Sequence, residues 1–220
     1  MDFIMSNRDI LTLDEIYSFI EYLKTFIYDL EICSDNIEQV INAQSEGVNL
    51  IPIQHFIGHY IFLSYSHIAI TAYKIFHSGE KRSFFKLFNK IDNFSYEDSL
   101  KRHLEQNGNK DENLIKNRSE FKEITAILIQ KINTKDALIN KIKLRRSTFY
   151  AHSDPKNSVK PETLEEIKEL KEFSKNIFNL LYGKFKDTHF SFNFNIASIR
   201  NVIEDRKLVD GYYGDLEKEM

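Results

Sequence analysis

Long stretches of this 220-residue chain repeat apolar residues at helical spacing, and few residues interrupt them. From Ile16 to Ile41, apolar side chains recur every three or four positions, which is typical of a helix with one broad buried face. The stretch Gln54 to Phe76 is apolar on nearly every side and predicts a helix at the centre of the fold. Only seven glycines and three prolines are present, which favours long helices joined by few tight turns.

Capping and stop signals divide the chain into helical segments. Thr12 to Glu15 has the form of a capping box, and Gly47 is a stop signal for the helix that follows it. Pro161, Thr163 and Glu166 form a strong start for a late helix. The predicted helical segments are 12–47, 54–76, 83–90, 95–106, 112–132, 134–154 and 163–183.

The end of the chain has a different pattern. His189 to Ile196 alternates apolar and polar residues, which predicts a short strand, and a weak helix is predicted from Ala197 to Arg206. We therefore predict an all-α helical bundle over residues 1–185. A small C-terminal appendage, a short strand or helix and partly frayed, is predicted over residues 186–220.

Composition narrows the class of protein and its compartment. The net charge of −3 is mild, so any contact with nucleic acid would depend on a local basic patch. A single cysteine allows no disulfide within the chain and fits a reducing compartment. We expect no secretory signal and no membrane span, because no apolar run is long and uninterrupted enough. A cytoplasmic location is predicted.

One short stretch combines groups suited to phosphate chemistry. Arg145 and Arg146 carry planar guanidinium groups that suit phosphate oxygens, and His152 can donate or accept a proton near neutral pH. Asp154 would either orient the imidazole and fix its tautomer or serve as a turn residue before Pro155. An anion-binding group beside an acid/base is the minimum requirement for cleaving a phosphodiester without metal.

Geometry limits how these groups cooperate. On an unbroken helix Arg146 and His152 would lie about 120° apart, whereas Arg145 and His152 would be nearly eclipsed. If Arg146 and His152 act together, the helix must end or loosen before His152.

The residues before the motif are basic. Lys131 to Arg146 contains six basic residues and one acidic residue, a local balance of 6 − 1 = +5. This stretch has two possible roles. Either it binds nucleic acid, with Lys141 and Lys143 contacting RNA phosphates, or it is only a solvated helix face. Tyr150 would stack on a base or pack internally.

Two other histidines have a spacing that metal ligands can have. His55 and His59 are one helical turn apart, as two zinc ligands would be, but no glutamate or third ligand accompanies them. We predict no metal and no cofactor.

The stretch R-S-T-F-Y-A-H-S-D, residues 146–154, resembles the "R-x-K-x-x-A-H-x-D" pattern of HEPN proteins of the abortive-infection, AbiU-type branch. Arg146 with five intervening residues fits the family's Arg–His spacing, and Arg145 with six fits as well; the branch pattern favours Arg146. Ser147 departs from the pattern, since Asn or Asp usually follows the arginine. The order of helices agrees loosely over residues 10–185.

The resemblance implies a HEPN-like helical bundle that dimerises and cuts RNA without metal. His152 would be the general acid or base, Arg146 would hold the scissile phosphate, and Asp154 and Ser147 would be orienting residues. It also implies a toxin in phage defence or in a toxin–antitoxin pair, restrained by an antitoxin protein. The alternatives are a non-catalytic dimeric module that binds nucleic acid, nucleotide or a protein partner, and a regulator that binds nucleic acid through the basic stretch without cutting it.

Overall fold

The computed structural model describes residues 13–93, 115–150, 160, 162–186, 188–192 and 198–219. Within these ranges the chain forms seven α-helices, and no strand is found there, so the predicted all-α fold is confirmed. The helices are α1 Leu13–Ser45, α2 Gln54–Phe76, α3 Phe84–Asn93, α4 Arg118–Asn133, α5 Asp136–Arg145, α6 Leu164–Lys186 and α7 Ser198–Glu219. A 3₁₀ turn, Ile51–Ile53, precedes α2, and a π-helical turn, Arg146–Tyr150, follows α5.

Helix α1 has the predicted length and the predicted end. It spans 33 residues and stops before Gly47, whose φ of 80° lies in the left-handed region that favours glycine. The N–H of Gly47 donates to the carbonyl of Gln44 at 3.1 Å, and that of Val48 donates to Ala43 at 3.0 Å. These two bonds satisfy the last carbonyls of the helix and turn the chain toward α2.

The hydrophobic core lies where α1, α2 and α6 meet. Apolar residues at helical spacing on each helix are buried there, as the periodicity predicts. Aromatic residues from α2, α3, α4 and α6 complete the core. The largest of these are fully buried: Phe76, Phe84, Phe88, Phe121 and Phe178.

Helix α2 contacts α1, α3, α5 and the π-helical turn. The sequence predicts that it lies at the centre of the fold, but one of its faces is exposed. Ile68 and Ile75 face the hydrophobic core, and Ile57 is buried in a second, smaller apolar cluster. Phe56 and Leu63 remain 52 % and 49 % exposed on the opposite side. The neighbouring helices pack on one side only, so a helix apolar all round keeps an exposed apolar face.

Two helix ends differ from prediction, and a local cap decides one of them. Helix α4 begins at Arg118 and not near residue 112, because the side chain of Asn117 accepts a bond from the N–H of Glu120 at 3.0 Å. The predicted start at 112–114 lies outside the described residues. Helix α6 passes through Gly183 and ends at Lys186.

The segment after α6 forms no strand where the structure describes it. Residues 189–192 are non-helical and unpaired with any described strand, and 193–196 lie outside the described residues. The side-chain amide of Asn179 bonds the backbone of Phe190 in both directions, at 2.8 and 3.1 Å. These bonds satisfy the N–H and the carbonyl of Phe190, which a neighbouring strand would bond in a sheet. Phe190 and Phe192 also pack edge-on against Tyr28.

Helix α7 is longer than the weak helix predicted for 197–206. Ile199 and Ile203 are buried against Val40 and Ala43 of α1, in a second, smaller apolar cluster. Arg206 also donates to the carbonyl of Asn49 at 2.9 Å. The segment 95–106, predicted to be helical, lies outside the described residues. Among the described helices, none has the length and hydropathy needed to cross a membrane.

Candidate active site

The helix that carries the two arginines widens directly after Arg145. Arg146–Tyr150 forms a π-helical turn, a form that frequently occurs at functional sites. The Ser147 hydroxyl donates to the carbonyls of Lys143 and Leu144 at 3.0 Å, and Thr148 donates to Leu144 at 2.8 Å. Hydroxyls that bond these carbonyls compete with the α-helical pattern. The helix thus loosens before His152, as cooperation between Arg146 and His152 requires.

Arg145 points into the protein. Arg145 is 8 % exposed and Glu162 is 4 % exposed. The Nε of Arg145 lies 3.5 Å from Oε2 of Glu162. Burial raises the pKa of the Glu162 carboxyl, and the charges of Arg145 and Lys141 act against that shift. The pair joins the end of α5 to the residues before α6, which gives Arg145 a structural role.

Arg146 has a different environment. It is half-buried, and its guanidinium carbon lies 4.4 Å from the centroid of the Tyr73 ring on α2. At this distance the cation is attracted to the face of the ring. No ion pair among the described residues includes Arg146. A guanidinium that stacks by its face keeps its in-plane N–H donors available for an oxyanion.

Much of the basic stretch is paired with carboxylates of α6 and its N-terminus. Lys135 contacts Glu169 at 2.5 Å, and Lys141 contacts Glu166 at 2.6 Å. With Arg145 and Glu162, these pairs bring three negative charges to the stretch, so its local balance of +5 becomes +2. Lys141 would have to exchange Glu166 for a phosphate to bind RNA, and its RNA-binding role remains a prediction.

Lys143 has no such carboxylate pair among the described residues. It is half-buried, and burial lowers the pKa of its ammonium group, with Asp136 acting against that shift. Its predicted contact with RNA phosphate also remains a prediction. The Thr134 hydroxyl donates to the carbonyl of Lys131 at 2.6 Å and closes the end of α4.

Glu166 fixes the start of α6, as predicted. Its carboxylate accepts from the N–H of Thr163 at 2.8 Å, and the Thr163 hydroxyl accepts from the N–H of Glu166 at 3.2 Å. Burial acts to raise the pKa of Glu166, but the bonds from Lys141 and Thr163 outweigh it, and the pKa is lowered.

The other predicted site residues lie outside what the structure describes. His152 and Asp154 fall in the range 151–159, and of Tyr150 only the backbone is described. Sequence reasoning missed Tyr73 and Glu162. The spacing of Glu162, Glu166 and Glu169 at intervals of four and three positions was a readable signal for pairing with the basic helix α5.

The histidines of α2 are exposed, and His55 and His59 lie far along the helix from Tyr73. His55 and His59 both face solvent, and His67 lies 3.3 Å from a carboxylate oxygen of Asp29. In the described part of the chain, no group of three or more His, Cys, Asp or Glu side chains is placed to hold a metal ion.

Comparison with known proteins identifies the family. A HEPN family model described as AbiU2 matches residues 65–204, more than half of the chain. This range includes Tyr73, the π-helical turn and the whole Arg–His motif. No curated protein and no solved structure matches the chain. The chain belongs to the AbiU2 family of HEPN proteins.

Proposed function

We propose that this protein is a metal-independent endoribonuclease in which Arg146 binds the scissile phosphate and His152 transfers protons. The observation that carries the proposal is the different placement of two adjacent arginines within a matched HEPN motif. Arg145 is buried against Glu162, whereas Arg146 lies on the ring of Tyr73 with no carboxylate partner among the described residues. Arg146 is therefore the arginine suited to bind an anion.

In the proposed reaction the 2′-oxygen of a ribose attacks the adjacent phosphorus and the 5′-oxygen of the next nucleotide leaves. A base takes the proton of the 2′-hydroxyl, and an acid gives a proton to the leaving 5′-oxygen. The products are a 2′,3′-cyclic phosphate and a 5′-hydroxyl. Arg146 would stabilise the charge that develops on the phosphoryl oxygens.

His152 residues from two copies of the chain would supply the base and the acid in one cleft between them. Asp154 would orient the imidazole of its own copy. Ser147 supports the π-helical turn through its bonds to backbone carbonyls. Lys141, Lys143 and Tyr150 would contact the RNA on either side of the scissile bond.

The biological role we propose is that of a toxin, active in phage defence or in a toxin–antitoxin pair. Family membership in an abortive-infection branch supports this role. An antitoxin protein would then restrain the ribonuclease. Expression of the wild-type chain in bacteria should arrest growth, and expression of the Arg146→Ala chain should not.

The test of the activity is RNA cleavage in EDTA by the purified full chain. His152→Ala and Arg146→Ala should each lower the rate by about 100-fold or more. Arg82→Ala is the matched control, because the Arg82 guanidinium also lies 4.4 Å from a tyrosine ring, that of Tyr22. Cleavage that survives both motif substitutions, or that stops equally in the control, contradicts the proposal.

The second candidate function is a non-catalytic module that binds nucleic acid, nucleotide or a protein partner. The bonding of Ser147 to the backbone and of Lys141 to Glu166 favours it, because both side chains are engaged within the protein. This candidate predicts RNA or nucleotide binding with no cleaved product under any condition in which the wild-type chain is folded.

A further inference from the structure

A cavity lies between the C-terminal part of α1 and the N-terminal part of α2, beside the loop that joins these helices. Its volume is about 500 Å³, within the range of roughly 300–1,000 Å³ that is typical of sites for small molecules. Along α2 the cavity extends from Gln54 to Tyr65. At about 1.5 Å per residue this is a length of about 16 Å. The cavity therefore has the size and the elongated form of a site for one small molecule.

The walls of the cavity are aliphatic and carry no charge. Its innermost surface is made of buried residues from both helices and the loop: Ile37, Val40, Leu50 and Ile57. None of the described residues that line the cavity is charged. The sequence has no Asp, Glu, Lys or Arg between Glu46 and Lys74, in a chain in which 29 % of residues are charged. A charged ligand would lose its hydration here without gaining an opposite charge, so the lining favours an uncharged, aliphatic molecule.

The cavity has few polar side chains. Three exposed ones mark the side that is open to solvent: Gln44, Asn49 and Gln54. Tyr65 is half-buried, and its hydroxyl makes no hydrogen bond within the part of the chain that the structure describes. Burial raises the pKa of this hydroxyl, and the charges of Glu162 and Glu165 raise it further. The hydroxyl therefore keeps its proton, and it can donate to a ligand as well as accept from one.

Gly58 forms part of the cavity wall, although the fold does not require a glycine there. It lies inside α2, where glycine destabilises a helix relative to alanine. Its φ lies outside the left-handed region. No side chain other than those of its two chain neighbours would lie within 4 Å of a β-carbon at this position. Glycine also allows a ligand to come close to the backbone, so a molecule bound in the cavity would account for it.

We propose that this cavity binds an uncharged aliphatic molecule with one hydrogen-bonding end, of the class of medium-chain alcohols. The aliphatic part would lie against Ile37, Val40 and Ile57, and its hydroxyl would bond that of Tyr65. The cavity ends about two turns of α2 before Tyr73, the residue that Arg146 contacts. Binding there needs neither RNA nor the Arg–His motif, so this inference does not depend on the proposed ribonuclease.

The first test is calorimetric titration of the full chain with hexan-1-ol, octan-1-ol and decan-1-ol. Binding should saturate at one molecule per chain. The affinity should rise about 3- to 4-fold for each added methylene, because each methylene buried on an apolar wall adds a similar transfer free energy. Decanoate and decylammonium should bind at least about 10-fold more weakly than decan-1-ol, since no charge in the cavity compensates theirs. Absence of saturable binding, or equal binding of a charged analogue, overturns the inference.

The second test locates the bound alcohol. Gly58→Phe adds a ring at the cavity wall, where a β-carbon has room, and should lower the affinity for decan-1-ol by about 10-fold or more. Gly211→Phe is the matched control, because Gly211 also lies inside a helix, α7, with open space around a β-carbon. It should bind as the wild type does. Circular dichroism shows that each variant is folded. Unchanged binding in the folded Gly58→Phe chain, or equal loss in both variants, overturns the inference.

The third test concerns the polar end of the site. Tyr65→Phe removes one hydrogen bond and should lower the affinity for each alcohol by roughly 2- to 10-fold. The increase in affinity per methylene should stay the same, because the aliphatic walls are intact. An unchanged affinity, or a chain-length dependence that disappears with the hydroxyl, would overturn the placement of the alcohol against Tyr65.

Discussion

Arg145 and Glu162 form a buried ion pair that joins the two ends of the segment bearing the Arg–His motif. Their Nε and Oε2 atoms are 3.5 Å apart, and both residues are more than nine-tenths buried. Desolvation offsets much of the attraction within such a pair, so it contributes little net stability compared with a packed apolar pair. Its location between α5 and α6 indicates a role in fixing where the motif begins.

Removing one member of this pair should strongly destabilise the fold. Glu162→Leu leaves the Arg145 charge buried without its carboxylate, at an expected cost of about 3–5 kcal/mol in the free energy of unfolding. Lys135→Met breaks the more exposed pair with Glu169 and should cost at most about 1 kcal/mol. Urea unfolding measures the change in the free energy of unfolding for both variants. Equal costs for the two variants would contradict a buried, coupled pair.

The two glutamates at the start of α6 should respond to pH in opposite directions. Glu162 has a raised pKa, so the folded state keeps its proton above the ordinary value of 4.5 while the unfolded chain loses it. Its contribution to stability therefore falls as pH rises through that window. Glu166 has a lowered pKa, so its contribution is present above 4.5 and is lost as pH falls through the folded-state pKa.

Urea unfolding of Glu162→Gln and Glu166→Gln at several pH values measures these slopes. Relative to the wild type, Glu162→Gln should become more stable as pH rises above 4.5. Glu166→Gln should become less stable as pH rises from the folded-state pKa of Glu166 toward 4.5, and the difference should be constant above that value. Slopes of the same sign for both variants would contradict the assignment.

The apolar spacing was enough to predict the all-α fold, the span of α2 and the extent of α1, because burial of one helical face leaves a local signature. The capping box of Thr163 and Glu166 was also predictable, because both of its residues lie within one helical turn. The contact of Arg145 with Glu162 and that of Arg146 with Tyr73 join distant parts of the chain. The spacing of Glu162, Glu166 and Glu169 indicates a basic partner helix but not which basic residue each glutamate contacts, and nothing near Arg146 indicates Tyr73. The strand at 189–196 was predicted from alternation alone, which cannot reveal that Asn179 bonds the backbone there.

Tyr73 should matter to Arg146 through its ring and not through its hydroxyl. Tyr73→Phe keeps the ring and should leave RNA cleavage within about twofold of wild type. Tyr73→Leu removes the cation–π contact, worth about 0.5–2 kcal/mol, and should lower cleavage by roughly 2- to 30-fold. Initial rates at saturating and limiting RNA separate positioning of Arg146 from RNA affinity. A greater loss for Tyr73→Phe than for Tyr73→Leu would exclude this role.

Lys141 and Lys143 should differ in how they affect the salt dependence of RNA binding. A lysine that contacts phosphate contributes about 0.7–0.9 to the slope of log affinity against log salt. Lys143→Ala should reduce the slope by about this amount. Lys141→Ala should reduce it only if Lys141 leaves Glu166 when RNA binds. An unchanged slope for both variants would remove the basic helix α5 from the RNA-binding surface.

The central claim is that the two adjacent arginines have separate tasks, and Arg146→Ala tests it most directly. Its rate of 2′,3′-cyclic phosphate formation in EDTA and its urea midpoint are measured on the same preparation. The account predicts a rate lowered by about 100-fold or more, with a loss of unfolding free energy no larger than that of the Tyr73 contact, about 0.5–2 kcal/mol. A wild-type rate in the folded Arg146→Ala chain would contradict it.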